Sequence, residues 1–195
     1  MSFTHAKEEV VVDEMDLVFF DTETTGLDLR HELIEIGVVK VRAKTLEVIA
    51  ERDIKIKPTR IADAHPDALR INGYNEAEWA EAYDLRAGLI EFLAYTKDCM
   101  LVGHNLAFDW MQVKNALEKS NLEPNYYYKG LDTFTLAWEK LRGTGSCKRY
   151  SLKELAPYFG VDPGHAHRAI DDARTTYQIF KKLIALPSPA AHERA

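Results

Sequence analysis

The apolar positions fall into short blocks with two different periods. Leu17-Val18-Phe19-Phe20 is continuous apolar sequence running into Asp21, as expected of a strand buried on both faces, and it ends in Asp-Thr-Glu-Thr-Thr-Gly. Leu33 to Val41 and Glu47 to Lys57 are rich in Val and Ile and separated by a polar turn at Ala43-Lys44-Thr45, which predicts two more strands, antiparallel to their neighbours. Pro58 to Trp79, with Asn72-Gly73, reads as a long irregular or partly helical excursion. From Glu81 to Lys97 the period becomes helical, carried by Leu85, Leu89, Phe92 and Leu93. The pattern then predicts a strand at Met100–Gly103, a helix at Leu106–Lys119, an aromatic strand at Tyr126–Leu131 and helices at Thr133–Leu141, Ser151–Tyr158 and Ala169–Ile184. Ser151 and Glu154 have capping-box spacing. Three strands followed by alternating helices and strands predict an α/β fold, a mixed sheet with helices packed on it.

Composition narrows the class. With 195 residues, 46% hydrophobic and 29% charged, the chain has the make-up of one ordinary globular domain. No repeat or linker divides it, so the expected organisation is an extension at 1–16, a domain at 17–186 and a frayed tail at 187–195. No apolar run approaches the roughly 20 residues of a membrane span, and the acidic start (Glu8, Glu9, Asp13, Glu14, Asp16) lacks the features of a secretory signal. Cytoplasmic residence, without membrane contact, is the expectation. Cys99 and Cys147 form no C-x-x-C pair and read as reduced thiols. A net charge of −6 argues against coating nucleic acid through a broad basic surface. It leaves room for a nucleic-acid enzyme whose acids hold divalent cations.

The placement of the acids is therefore informative. Asp21 and Glu23 lie two apart in extended chain, so their side chains leave one face and can share a cation; the alternative is a plain turn. On the 106–119 helix Asp109 falls inside the edge of the stripe made by Leu106, Trp110, Val113, Ala116 and Leu117, where a carboxylate needs a partner, unless it caps the helix start next to Asn105. On the last helix Asp172 flanks the inward stripe of Ala169, Ala173, Thr176, Phe180 and Leu183. Asp171 shares the polar side with Arg174, Gln178 and Lys182 and reads as a solvated helix pair. His167 stands five residues before Asp172, where its imidazole could act as a base, with His165 as the alternative. Oxygen ligands without a Cys and His cage favour two Mg²⁺ or Mn²⁺ ions and chemistry at phosphorus.

Asp21-Thr22-Glu23-Thr24-Thr25-Gly26-Leu27, His104-Asn105-Leu106-Ala107-Phe108-Asp109 and His167-Arg168-Ala169-Ile170-Asp171-Asp172-Ala173 together resemble the three motifs of the DEDDh, or DnaQ-like, 3′-to-5′ exonucleases. The resemblance implies a ribonuclease H-like fold with a five-stranded mixed sheet and helices on both sides. It implies metal-binding acids at Asp21, Glu23, Asp109 and Asp172, a general base at His167, and release of nucleoside 5′-monophosphates. By the same resemblance Thr22, Thr24, Thr25, Gly26, Leu27, His104, Asn105 and Phe108 would contact the 3′-terminal nucleotide, and Glu35 would be structural. The implied partner is a single-stranded DNA or RNA 3′ end, met either by a stand-alone enzyme or by a proofreading subunit joined to a DNA polymerase. DNA is the favoured substrate; RNA trimming and a noncatalytic polymerase-associated module are the alternatives. The loop Gly143–Arg149, with Lys140, Arg142 and Lys153, either guides the strand electrostatically or is a plain surface loop.

Overall fold

The structure, a computed structural model, describes residues 11–187. Most of the expected tail and residues 1–10 of the expected extension lie outside this range. Five strands, β1 (Leu17–Thr24), β2 (Leu33–Val41), β3 (Val48–Lys55), β4 (Met100–Gly103) and β5 (Gly130–Asp132), form one sheet in the order β3-β2-β1-β4-β5. The β1–β2 and β2–β3 pairs are antiparallel and β1–β4 and β4–β5 are parallel. The carboxyl ends of β1, β4 and β5 therefore share one edge of the sheet.

The continuous apolar runs of β1 and β2 are explained by helices on both faces. Val18, Phe20, Ile36 and Val38 pack in a core with Leu89 and Phe92 of α2 (Leu85–Thr96) and Val113 and Leu117 of α3 (Leu106–Lys119). Leu17, Phe19, Val39 and Val41 face the other way, onto Ala173, Tyr177 and Phe180 of α6 (Ala169–Ala185), with Phe19 edge-on to both rings. By the same alternation Asp21, Glu23, Glu35 and Gly37 lie on the α6 face and Thr22 on the α3 face. Gly37 is required by close approach. A Cβ there would stand 2.1 Å from the carbonyl carbon and oxygen of Ala169 and 2.2 Å from the Ile170 nitrogen. Small Ala169 and Ala173, both fully buried, let α6 come this near.

The remaining helices are α1 (Pro66–Asn72), within the expected excursion, α4 (Thr133–Leu141) and α5 (Leu152–Phe159). Three expectations need correction. The aromatic strand begins four residues late, at Gly130, because four-residue β4 offers only three parallel partners, Leu101 to Gly103. Tyr126 instead packs edge-on against Phe92 and Trp110. The capping box does not form. The Ser151 side chain caps nothing, while the Glu154 carboxylate accepts the Arg149 and Tyr150 N–H groups and closes the loop entering α5. β1 also runs past Asp21, where its apolar run ends, to Thr24, so Asp21 and Glu23 lie in extended, paired strand as their shared face requires, and the turn alternative does not hold. Among the described residues no helix is long and apolar enough to cross a membrane.

Candidate active site

The acids converge where the two helix layers meet the sheet edge. Asp21 and Glu23 project from β1 toward α6, whose first turn carries Asp172. Asp109, in the first turn of α3, comes from the opposite layer and is anchored by accepting the Thr22 N–H (2.9 Å) and the Thr22 hydroxyl (2.6 Å) through Oδ1. It does not cap its own helix. Asp132, at the end of β5, takes that role by accepting the Asn105 and Leu106 N–H groups, and it also accepts that of Phe134.

His167 completes the cluster. One ligand atom each of Glu23, His167 and Asp172 lies within 4.8 Å of the others. The His167 N–H donates to Asp172 (3.0 Å), and the residue adopts a left-handed backbone, φ 66°, uncommon for a non-glycine. His165 turns outward, its side chain 91% exposed beside Asp171. Asp171 is not the solvated residue expected of it. Its carboxylate is 18% exposed, accepts the His165 N–H (3.1 Å) and pairs with Arg174 (3.0 Å), bracing the loop that carries His167.

Electrostatics set this site apart from a structural ion-pair network. Asp21 is pushed well above the usual carboxylate range by burial and then by Asp109, Asp172, Glu23 and Glu35. Burial, followed by Asp172, Glu35 and Asp109, raises Glu23 to about 9. Asp109 rises to about 7 through burial despite its Thr22 bonds. Burial also raises Asp172, against the His167 contacts. Among the described residues no Lys or Arg stands among the charges that act on Asp21 or Glu23. Glu35, opposite Glu23 across the ladder, is fully buried with no donor reaching either oxygen; burial and the adjoining Asp53 carboxyl, which favours a protonated Glu35, raise it to about 8 against Lys55 and Arg168. Hard oxygen donors crowded without a counter-cation fit divalent Mg²⁺ or Mn²⁺, and Asp21, Glu23, Asp109 and Asp172 are the residues that could hold such ions.

One consequence can be checked without substrate. A carboxylate raised in the fold adds stability in full below its unfolded value near 4, and that stability is lost as pH climbs through the folded values, about 7 for Asp109 and about 9 for Glu23. The melting temperature of the metal-free chain should therefore fall between pH 5.5 and 8.5. Added Mg²⁺ or Mn²⁺ should raise it more at pH 8.5, where the acids can be bound deprotonated. Equal metal-induced shifts at both pH values would contradict this.

The other residues singled out in the sequence ring the cluster. The Thr24 hydroxyl donates to the Gly26 carbonyl, and the Thr25 hydroxyl accepts the Glu32 N–H, so both are committed to shaping the loop. Leu27 (81% exposed) and Asn105 are open to solvent, while Phe108 and His104 are half-buried, His104 Nδ1 lying 2.9 Å from the Thr133 hydroxyl. Sequence reasoning missed Asn72, buried in α1 and donating to the Thr24 carbonyl, and Trp79, whose indole N–H donates to the Ile34 carbonyl. It also missed the Arg168–Glu78 pair (2.9 Å), which ties the residue after His167 to the segment before Trp79. No local pattern announces contacts across 45 to 90 positions. A cavity of about 430 Å³ between the 30–33 loop, Lys57–Arg60 and α3 touches none of the acids.

The family model RNase_T, described as Exonuclease, matches residues 18–180. The chain is 34% identical over 167 residues to a DNA polymerase III subunit epsilon of Treponema pallidum, covering 85% of this chain and 75% of that one. It is 32% identical over 171 residues to a DNA polymerase III PolC-type of Thermotoga maritima, and spans only 12% of that protein's length. A 3′-5′ exonuclease DinG of Staphylococcus epidermidis is 30% identical over 169 residues, of which the chain spans 17%. Among solved structures, Escherichia coli Exonuclease I in complex with a dT13 oligonucleotide superposes with a TM-score of 0.76 at 19% identity, over 88% of this chain and 41% of that one. That likeness carries the fold, the ribonuclease H-like architecture expected from the motifs.

Proposed function

The chain belongs to the RNase_T exonuclease family, and from that premise we propose that it removes nucleotides from the 3′ end of a nucleic-acid strand, releasing nucleoside 5′-monophosphates. The observation that carries the reading is the grouping of Glu23, Asp172 and the His167 imidazole within 4.8 Å, with half-buried Asp21 and buried Asp109 close enough that like charge raises Asp21 and Glu23. Asp21, Glu23 and Asp172 would hold two divalent ions directly, with Asp109 completing the set. Bound there, such ions supply Lewis-acid stabilisation of charge at the phosphate. His167 takes a proton from the attacking water at a ring nitrogen. The water oxygen bonds to phosphorus as the P–O3′ bond breaks, and the departing O3′ takes a proton from solvent water, leaving the shortened strand with a 3′-hydroxyl. Asp172 and the Asp171-braced loop hold the imidazole toward Glu23. Leu27, Asn105, Phe108 and His104 would receive the terminal nucleotide, and Thr22, Thr24, Thr25 and Gly26 would shape the shelf on which it rests. The domain at 17–186 would be the catalytic unit.

The relatives named as DNA polymerase III proteins support a DNA end as substrate and a polymerase as partner. Matched 5′-labelled DNA and RNA strands, single and duplex, digested with Mg²⁺, Mn²⁺ or chelator, test the reading. A ladder shortening from the 3′ end, abolished by chelator, is the expected result. Binding without turnover in either metal would favour the noncatalytic module. Shortening of RNA alone would make it a trimming enzyme.

His167→Ala should lower kcat at saturating metal by roughly 10²–10⁴-fold, the range for a positioned general base. His165→Ala should stay near wild type, given its outward exposed ring. An unchanged rate for His167→Ala would remove it from the reaction and bring His165 forward.

A further inference from the structure

Helix α4 buries Thr133, Ala137 and Leu141, yet the neighbouring row of Phe134 and Trp138, one turn apart, faces solvent, and exposed Arg142 follows directly past the helix end. Phe134 is 40% and Trp138 48% exposed, and the Arg142 guanidinium lies 5.2 Å from the Trp138 ring centroid. The row starts at the candidate site. Phe134 packs edge-on against His104 at 6.3 Å and against Tyr150 at 6.4 Å. It stands at the sheet edge that carries the acids, two strand spacings from β1, or about 10 Å. Beside it the loop bearing Lys148 and Arg149 is exposed, whereas Lys140, expected to belong to this basic surface, turns away to the Leu186 carbonyl. Aromatic faces interleaved with cations, continuous with a phosphodiester site, match the chemistry of a single nucleic-acid strand. Every base offers a face to stack, and every link a phosphate to neutralise.

We propose that the α4 row is the path of the unpaired strand upstream of the 3′ end, with bases stacking on Phe134 and Trp138 and Arg142 meeting a phosphate. The proposal rests on the exonuclease reading for its polarity, but its test does not need turnover. Binding of a 5′-fluorescein-labelled oligothymidylate 12-mer and of the matching dinucleotide is measured by anisotropy on the full chain in chelator, so that no hydrolysis intervenes. Phe134→Ala and Trp138→Ala should each weaken the 12-mer by roughly ten-fold and leave the dinucleotide unchanged. Phe134→Tyr and Trp138→Phe, which keep the ring, should bind close to wild type. Arg142→Gln should reduce the slope of log Kd against log salt by about 0.7. Trp138 is more exposed than buried Trp79 or half-buried Trp110, so the 12-mer should quench tryptophan emission, and Trp138→Phe should abolish most of that change.

Undiminished 12-mer affinity in both alanine variants overturns the path, as does equal weakening of both ligands, which would place the effect at His104. A wild-type chain that fails to bind the 12-mer also overturns it. So does a shift in self-association at unchanged strand affinity, which would assign the row to a protein contact. Strand binding that depends on the row, in a chain that digests nothing in Mg²⁺ or Mn²⁺, would sink the exonuclease reading and leave the path standing.

Discussion

Asp21→Ala should abolish digestion of a 5′-labelled strand, lowering the rate on the order of 10³-fold while the chain stays folded. Asp21 is half-buried and crowded by Asp109, Asp172, Glu23 and Glu35, so the metal-free fold tolerates its charge poorly. Removing the carboxylate takes away one donor for cations and, at the same time, a source of like-charge repulsion. The two effects separate in Asp21→Asn, which keeps the shape. Digestion should be lost, the melting temperature of the metal-free chain at pH 8 should rise above wild type, and the added stability conferred by Mn²⁺ should shrink. A variant that is inactive because it is unfolded would show neither stability signature. Full activity in either variant would remove Asp21 from the metal-holding set.

Gly37→Ala should be among the most damaging single substitutions outside the acids. The added carbon would sit 2.1 Å from backbone atoms of Ala169, and backbone cannot rotate away as a long side chain can. Overpacking of this kind costs about 3 kcal/mol, equivalent to a melting temperature lower by roughly 6–12 °C for a chain of this size. The damage would not stop at stability. Ala169 lies between His167 and Asp172, so lifting the start of α6 carries both away from Glu23. Urea denaturation and turnover should therefore both fall. Wild-type behaviour in both would mean that α6 and β2 are not held this close.

The features legible in the sequence are those set by a local period. Alternation in Leu17–Thr24 put Asp21 and Glu23 on one face, and helical spacing put Asp109 and Asp172 at the edges of inward stripes; the structure places all four acids at one sheet edge. The helices at 106–119 and 133–141 and the strand at 100–103 have the expected bounds because their periods begin and end sharply. The illegible features depend on distance in the fold. An aromatic run cannot say that its neighbour strand is only four residues long, which is why β5 starts late. Asp171 looked solvated because its helix neighbours are polar; the His165 N–H that half-buries it comes from the preceding loop. Glu35, in an apolar strand, gave no sign that it would be enclosed opposite Glu23 beside Asp53, with no donor reaching its oxygens. The left-handed backbone of His167 is likewise invisible in a residue that normally avoids it.

β1 is at once the centre of both cores and the bearer of two of the four acids. Its side chains alternate strictly, so adding or deleting one residue within Leu17–Thr24 would exchange its faces, sending Phe19 toward α3 and the carboxylates away from α6. Drift in chain length is therefore barred from this strand. Any insertions that descendants of this sequence accumulate belong in the exposed turn at 43–47 and the glycine-bearing loop at 143–149, where no side of the sheet is inverted by them.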